Sequence, residues 1–299
     1  MGADRPDDFD VPDFGDSSSG DSAESGSRVA VEERDRFEYW EDLRAAVAAD
    51  AWEVAAERFR WQWASHCDRW AAEKRPSADR SEDPPGSWRG DGGRYLDAAA
   101  NAEVERRCEG IAEVERDVVS PAMREIEACD PERRLVGFEH RLKGQDRIKD
   151  KVAETLKEQF PLSVEEAVAD VSDTIRFTFC YDDRHYALGV RHDITRLKEH
   201  GFKLDKLKNC WADAQYKGVN SQWIVPGTGQ RFEVQFHTQT SFEAKQLTHC
   251  AYERLRARSA DAQEEDELAG LQGELSGAIP MPPGVFSVRN HPERGQNAR

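Results

Sequence analysis

The run Arg231-Phe-Glu-Val-Gln-Phe-His-Thr238 concentrates more potential chemistry than any other stretch of the chain. At the two-residue period of a strand, Phe232, Val234 and Phe236 turn to one side, and Arg231, Glu233, Gln235 and His237 share the other. A short turn later, Lys245, His249, Tyr252 and Arg256 recur at i, i+4, i+7 and i+11, which is one stripe of a helix. A polar strand face followed by such a stripe makes an anion pocket. A second cationic run, Arg141-Leu-Lys143 with Arg147, Lys149 and Lys151, falls where a helix begins. Side-chain charge beside the amides of a first helical turn suits a polyphosphate. Asp173 opens a further strand that also carries Arg176. With Glu233 it supplies two carboxylates, and a magnesium ion (Mg2+) at a phosphate site commonly takes one or two, completed by phosphate oxygens and water. Taken singly, the strand face, the helix stripe and the cationic run can each be solvated surface, and Asp173 can be a strand-end cap.

The surrounding pattern predicts the elements that would bring them together. Residues 143–159 read as a helix and 173–181 as a strand, with Ile175, Phe177, Phe179 and Tyr181 alternating. Residues 183–200 return to helix, and Gly201 supplies the stop. Strands at 219–225 and 231–237 flank Pro226-Gly-Thr-Gly229, a hairpin loop, and Ser241 is placed to cap a helix running to about residue 258. This αβαββα order predicts an α/β (α+β) fold over 136–258, a mixed nucleotidyltransferase-like sheet flanked by helices. Residues 36–135 read as a helical hairpin packed on that core. Its first helix carries Phe37, Trp40, Leu43 and Val47, continued by Trp52, Ala55, Phe59, Trp63 and Trp70, a stripe better suited to a core than to base stacking. A loop follows at 76–93, then a second helical stretch over 95–128, bent before Pro121. Residues 259–299 hold an acidic helix and a Pro-rich tail.

Composition narrows the class. The 299 residues carry a formal charge of -17, but residues 1–35 alone hold eleven acidic against three basic side chains. That acidic, Gly/Ser-rich segment offers too little apolar surface to offset its ordering entropy and is expected to be disordered. The rest is only mildly acidic, which argues against a nonspecific nucleic-acid coat and leaves room for a local phosphate site. Cys67, Cys108, Cys129, Cys180, Cys210 and Cys250 form no C-x-x-C pair and read as reduced thiols. No run approaches the ~20 apolar residues of a membrane span, and the N-terminus lacks an apolar signal core. The expected setting is cytoplasmic, or delivery by a non-classical secretion route.

The motifs in their joint order resemble the synthetase domain of the RelA/SpoT family, which makes (p)ppGpp-type alarmones. Arg141, Lys143, Ile148 and Lys151 fall at the spacing of the family's R-x-K-x-x-x-S-I-x-x-K, with Arg147 where Ser is usual. Asp173 stands three residues before Arg176 where the family has five, which keeps the same strand face and leaves Asp170 as the fallback. Glu233-Val-Gln-Phe-His-Thr238 resembles E-x-Q-x-R-T, with His237 for Arg. Lys217-Gly-Val-Asn-Ser-Gln-Trp223 resembles G-Y-R-S-L-H, with Val219 where a Tyr stacks on guanine, so that Tyr216, Trp211 or Trp223 would have to replace it. The resemblance implies a synthesis-only enzyme that transfers pyrophosphate from ATP to a nucleotide 3′-hydroxyl. It implies that Arg141, Lys143, Lys151 and Arg176 hold ATP, and that Asp173 and Glu233 bind Mg2+ and carry catalysis. Lys217, Gln235, His237, Lys245, His249 and Tyr252 would contact the acceptor, GDP/GTP or ADP/ATP. It is similar to stand-alone and toxin-type members, some of which act on tRNA ends; the latter would imply an immunity or antitoxin partner.

Overall fold

In the computed structural model, residues 50–64, 83–90, 93–159, 161–256 and 261–292 are described. The acidic segment 1–35 and the stripe residues Phe37, Trp40, Leu43, Val47 and Trp70 lie outside them. Helix α1 covers residues 50–64, and a two-stranded ribbon follows from β1 (Trp88–Arg89) and β2 (Tyr95–Leu96). Asp97 caps α2 (Ala98–Val114), accepting a hydrogen bond from the Ala100 amide at 2.8 Å. A π-helical turn over Glu115–Val119 joins α2 to α3 (Ser120–Ala128), so the expected bend before Pro121 is a local widening of one continuous helix. Then come β3 (Arg133–Val136), α4 (Gln145–Glu158), α5 (Val164–Asp170), β4 (Arg176–Tyr181) and α6 (Tyr186–Glu199). The sheet is completed by β5 (Lys203–Asn209), β6 (Val219–Ile224) and β7 (Arg231–Thr238) and is followed by α7 (Gln239–Arg256) and α8 (Ala262–Gly277).

The five-stranded sheet runs in the order β3-β4-β7-β6-β5, parallel between β4 and β7 and antiparallel elsewhere. The fold is mixed α/β, as the element order predicts. Phe177 and Phe179 of β4, Phe232, Val234 and Phe236 of β7, and Val219 and Trp223 of β6 are almost wholly buried and share one face. Each contributes about 1.5–3 kcal/mol through removal of apolar surface from water. Helix α6 covers this face: Tyr186 meets Tyr181 edge to face at 5.7 Å and donates its hydroxyl to the Phe236 carbonyl at 2.8 Å. Gly201, at φ +85°, ends α6 as expected. The opposite face carries the polar residues and is covered by α7.

A buried ionic clamp ties α6 to the edge of the sheet. Asp193 of α6 and the Arg133 side chain are both fully buried and form an ion pair. Tyr181 donates to the same carboxylate at 2.5 Å and Arg196 at 3.1 Å, while Arg133 Nε donates to the Ile126 carbonyl at 2.9 Å. Burial pushes the Asp193 carboxyl up, opposed by the Tyr181 hydrogen bond and the charge of Arg133.

The sheet holds two strands that the sequence pattern does not announce, β3 and β5. Helix α7 starts at Gln239, directly after β7, so Ser241 is not its cap: the Ser241 hydroxyl instead accepts from the Thr238 amide at 3.0 Å. The five described cysteines are free, and no helix among the described residues is long and apolar enough to cross a membrane.

Candidate active site

The start of β4 is the place where the separate motifs converge. The segment carrying Arg141 and Lys143 lies antiparallel beside it, with Lys143 N donating to Thr174 O at 2.9 Å and Arg176 N to Arg141 O at 2.7 Å. That pairing sets Arg141 and Lys143 on the Arg176 face of the sheet. On the other side of β4 the parallel register pairs Arg176 with Glu233, locked by Glu233 N to Ile175 O at 2.9 Å. Helix α4 supplies Lys151 from above.

The charges form one network. Asp173 accepts from Lys143 at 2.6 Å, from Lys151 at 2.8 Å and from Arg176 at 2.6 Å. Arg176 in turn places its Nε 3.6 Å from Glu233, too far for a hydrogen bond, and this buried Nε has no hydrogen-bond partner. Asp173 is thus the acid joined to the cationic cluster. Asp170 is exposed at the end of α5 and makes no part of it. Burial pushes the Asp173 carboxyl up, but hydrogen bonds from Lys143 and Lys151 outweigh it and hold the group far below the usual carboxylate range. Burial lowers the Lys143 ammonium, with Asp173 opposing. Three cations on one carboxylate leave an excess of positive charge, the state expected of a site that receives phosphate oxygens.

A second chain of contacts approaches Glu233 from α7. Lys245 donates to Gln235 Oε1, and Gln235 Nε2 donates to Glu233 Oε1. Burial lowers the Lys245 ammonium to about 8, helped by the charge of Arg176. His249 and Tyr252 lie further along α7 and are exposed; His249 faces Glu253 at 3.6 Å, and Glu253 pairs with Arg147 of α4. The stripe therefore turns from the sheet floor at Lys245 to the α4 side at Glu253.

Several expected acceptor contacts are placed otherwise. His237 has no exposed surface, and both ring nitrogens are occupied, Nε2 by Tyr216 Oη at 2.9 Å and Nδ1 by Ser241 Oγ at 2.9 Å. It braces the floor of the site and cannot touch an acceptor. Lys217 donates to the carbonyls of Trp211 at 3.1 Å and Asp213 at 2.5 Å, stapling its own loop. Trp211 and Trp223 are core residues, with their indole nitrogens satisfied by Tyr186 and Ser221. Of the three proposed stacking residues only Tyr216 lies on the Glu233 face, where burial and the Glu233 charge raise its hydroxyl. Gly218 is required by close approach, since a Cβ there would lie 2.9 Å from the His237 ring. Lys149, within the second cationic run, points away to Glu105 of α2 at 2.7 Å.

His237 gives a pH signature. Burial, and then the nearby Lys245 charge, hold its imidazole well below the ordinary value. The folded protein keeps it neutral while an unfolded chain takes up a proton below about pH 6.5. Its stabilising contribution is therefore present above that pH and is lost as the pH falls, by up to about 1.4 kcal/mol per unit. Urea titrations at pH 7.5 and 5.5 should show this loss in the native sequence and a smaller one in His237→Gln; equal losses would contradict it.

Sequence reasoning missed Glu115. It is 1% exposed, sits in the π-helical turn, and receives Arg141 Nε at 2.6 Å and the Ser120 hydroxyl. Arg141 also lies over the Phe138 ring at 4.4 Å, with Arg124 on the same ring at 3.9 Å. A lone Glu on an amphipathic helix gives no spacing signal; the helical widening that turns it inward is not visible in one sequence.

No family model and no curated protein matches the chain. Solved structures do. The chain is similar in structure to the small alarmone synthetase 1 from Bacillus subtilis, at 14% identity over 59% of this chain and 90% of that one, with a TM-score of 0.42. The same synthetase bound to its product pppGpp matches at 13% identity over 59% and 92%, with a TM-score of 0.43. A GTP pyrophosphokinase family protein from Streptococcus pneumoniae matches at 12% identity over 61% and 91%, with a TM-score of 0.37.

Proposed function

We propose that the chain is a nucleotide 3′-pyrophosphokinase, which moves the β,γ-pyrophosphoryl group of ATP to the 3′-hydroxyl of an acceptor nucleotide. One observation carries this reading: Asp173, in the turn that leads into β4, and Glu233, on the parallel neighbour β7, meet at Arg176 within a nest of Lys143 and Lys151, in the motif order of alarmone synthetases.

In this reading the triphosphate oxygens of ATP take over Lys143, Lys151 and Arg176 from Asp173. Arg141, held by Glu115, lines the same side. Glu233 receives the proton of the acceptor hydroxyl as that oxygen attacks the β-phosphorus in line. The bond between the β-phosphorus and the α,β-bridging oxygen breaks, and AMP leaves. Placement and charge compensation supply most of the rate, since phosphoryl-type transfer asks little covalent chemistry of a protein. Asp173 and Glu233 fit Mg2+: both offer hard oxygen donors, and two carboxylates are the usual protein share of such a site. Among the described residues no cluster of three acidic, His or Cys side chains exists, so phosphate oxygens would complete the coordination. When bound, Mg2+ would offset the charge on the transferring phosphates.

The test is incubation with ATP and Mg2+ plus GDP, GTP, ADP, AMP or tRNA, with chromatography of the products. One acceptor should gain a diphosphate in step with AMP release. A shift of labelled phosphate to tRNA alone would move the acceptor class to RNA ends. ATP left intact with every acceptor would mark a nucleotide-binding module without transfer activity.

A further inference from the structure

We propose that Lys245 is a positioning residue for Glu233, acting through the side-chain amide of Gln235, rather than a contact for acceptor phosphate. The inference rests on the assignment of Glu233 above and adds to it a device that fixes which way one amide points. A Gln side chain offers an acceptor on one side and two donors on the other, and the two orientations are nearly isosteric. A charged ammonium has donors only, so it takes the Gln235 oxygen and forces the amide nitrogen toward Glu233. The reverse orientation would set Gln235 Oε1 against the Glu233 carboxylate and its NH2 against the ammonium, two repulsive contacts in a buried site. Gln235 and Glu233 are 6% and 8% exposed, so water cannot relieve the wrong orientation.

The consequence falls on the catalytic carboxylate. With Oε1 held by the amide, Glu233 keeps its Oε2 on the Arg176 side, 3.6 Å from Nε, where the reaction would take place. Lys245 reaches Glu233 only through Gln235, to which its ammonium is hydrogen-bonded. Around Lys245, α7 presents Phe242 under the ammonium at 5.6 Å and the sheet presents Arg176, Cys180 and Glu233; the ammonium hydrogen-bonds Gln235 Oε1, and the Gln235 amide stands between it and the Glu233 carboxylate.

The test compares Lys245→Arg, Lys245→Gln and Lys245→Met in the full chain, using ATP and whichever acceptor the native protein uses. Arg has donors only and should keep most of the activity. Gln can present either end of its amide, and Met can present neither, so both should lower kcat, Met by about 100-fold, as expected for misplacement of a catalytic group by about 1 Å. KM for the acceptor should stay within about twofold in all three, because no substrate contact is removed. A raised acceptor KM with kcat preserved in Lys245→Met would overturn the proposal and make Lys245 a phosphate contact. A crystal structure of Lys245→Met decides independently of any activity: an unchanged Gln235–Glu233 hydrogen bond and Glu233 rotamer would overturn it, and a flipped amide or displaced Glu233 would support it. Absence of transfer by the native chain, or transfer retained in Glu233→Gln, would instead count against the function assigned to the site. Thermal midpoints of the three variants separate misfolding from mispositioning.

Discussion

Glu233→Gln is expected to lower kcat for pyrophosphate transfer by about 10³-fold, the range lost when a positioned general base is removed. The substitution is nearly isosteric. The Gln235 amide can still donate to the new carbonyl oxygen, and the pairing of β7 with β4 and β6 is made by backbone, so the fold should be kept. KM for ATP should change little, because Lys143, Lys151 and Arg176 remain on Asp173 and available to phosphate. Steady-state kinetics with thermal melting as a control measure both parts. Transfer within about tenfold of the native rate would remove Glu233 from the chemistry.

Asp193→Asn should destabilise the folded chain by about 3–5 kcal/mol, the usual cost of removing one partner of a buried ion pair. Asp193 is the buried counter-charge facing the fully buried Arg133 side chain, and Arg196 approaches the same oxygen. Asparagine keeps the shape and one acceptor for Tyr181 or Arg133 but strands positive charge in the interior. With domain stabilities of about 5–15 kcal/mol, this one change takes a large share. The clamp lies at the far end of β4 from Asp173, so kcat of the variant under folding conditions should match the native value. Urea unfolding monitored by tryptophan fluorescence would show it, and a midpoint unchanged from the native chain would contradict the clamp.

The central strands were legible in sequence because their faces differ in kind. Ile175, Phe177 and Phe179, and Phe232, Val234 and Phe236, alternate without interruption and are buried as that pattern requires. The edge strands were not. In β5, Lys-Leu-Asp-Lys-Leu-Lys-Asn, a register shift between Leu204 and Lys206 breaks the two-residue period, so its leucines stand three apart. In β3 the leading Arg133 looks like surface, and only the buried Asp193, 60 residues later, explains its place inside. Helix α7 shows the same limit. Its stripe is visible, but sequence does not say that Lys245 is half-buried against Gln235 while Tyr252 stays exposed. The polar face of β7 reads in sequence as the lining of a site, and the structure brings its first half, at Glu233, beside Arg176. His237 belongs to a closed network because α7 descends onto the end of the strand, a packing fact that no local pattern encodes.

The most direct measurement follows the three phosphorus atoms of ATP separately. With ATP labelled in turn at the α, β and γ positions, the account predicts that β and γ labels move together onto the acceptor 3′-oxygen, while the α label leaves only as AMP. Transfer of the γ label alone, or of the α label to the acceptor, would mean a different phosphoryl chemistry at Asp173 and Glu233 and would contradict it.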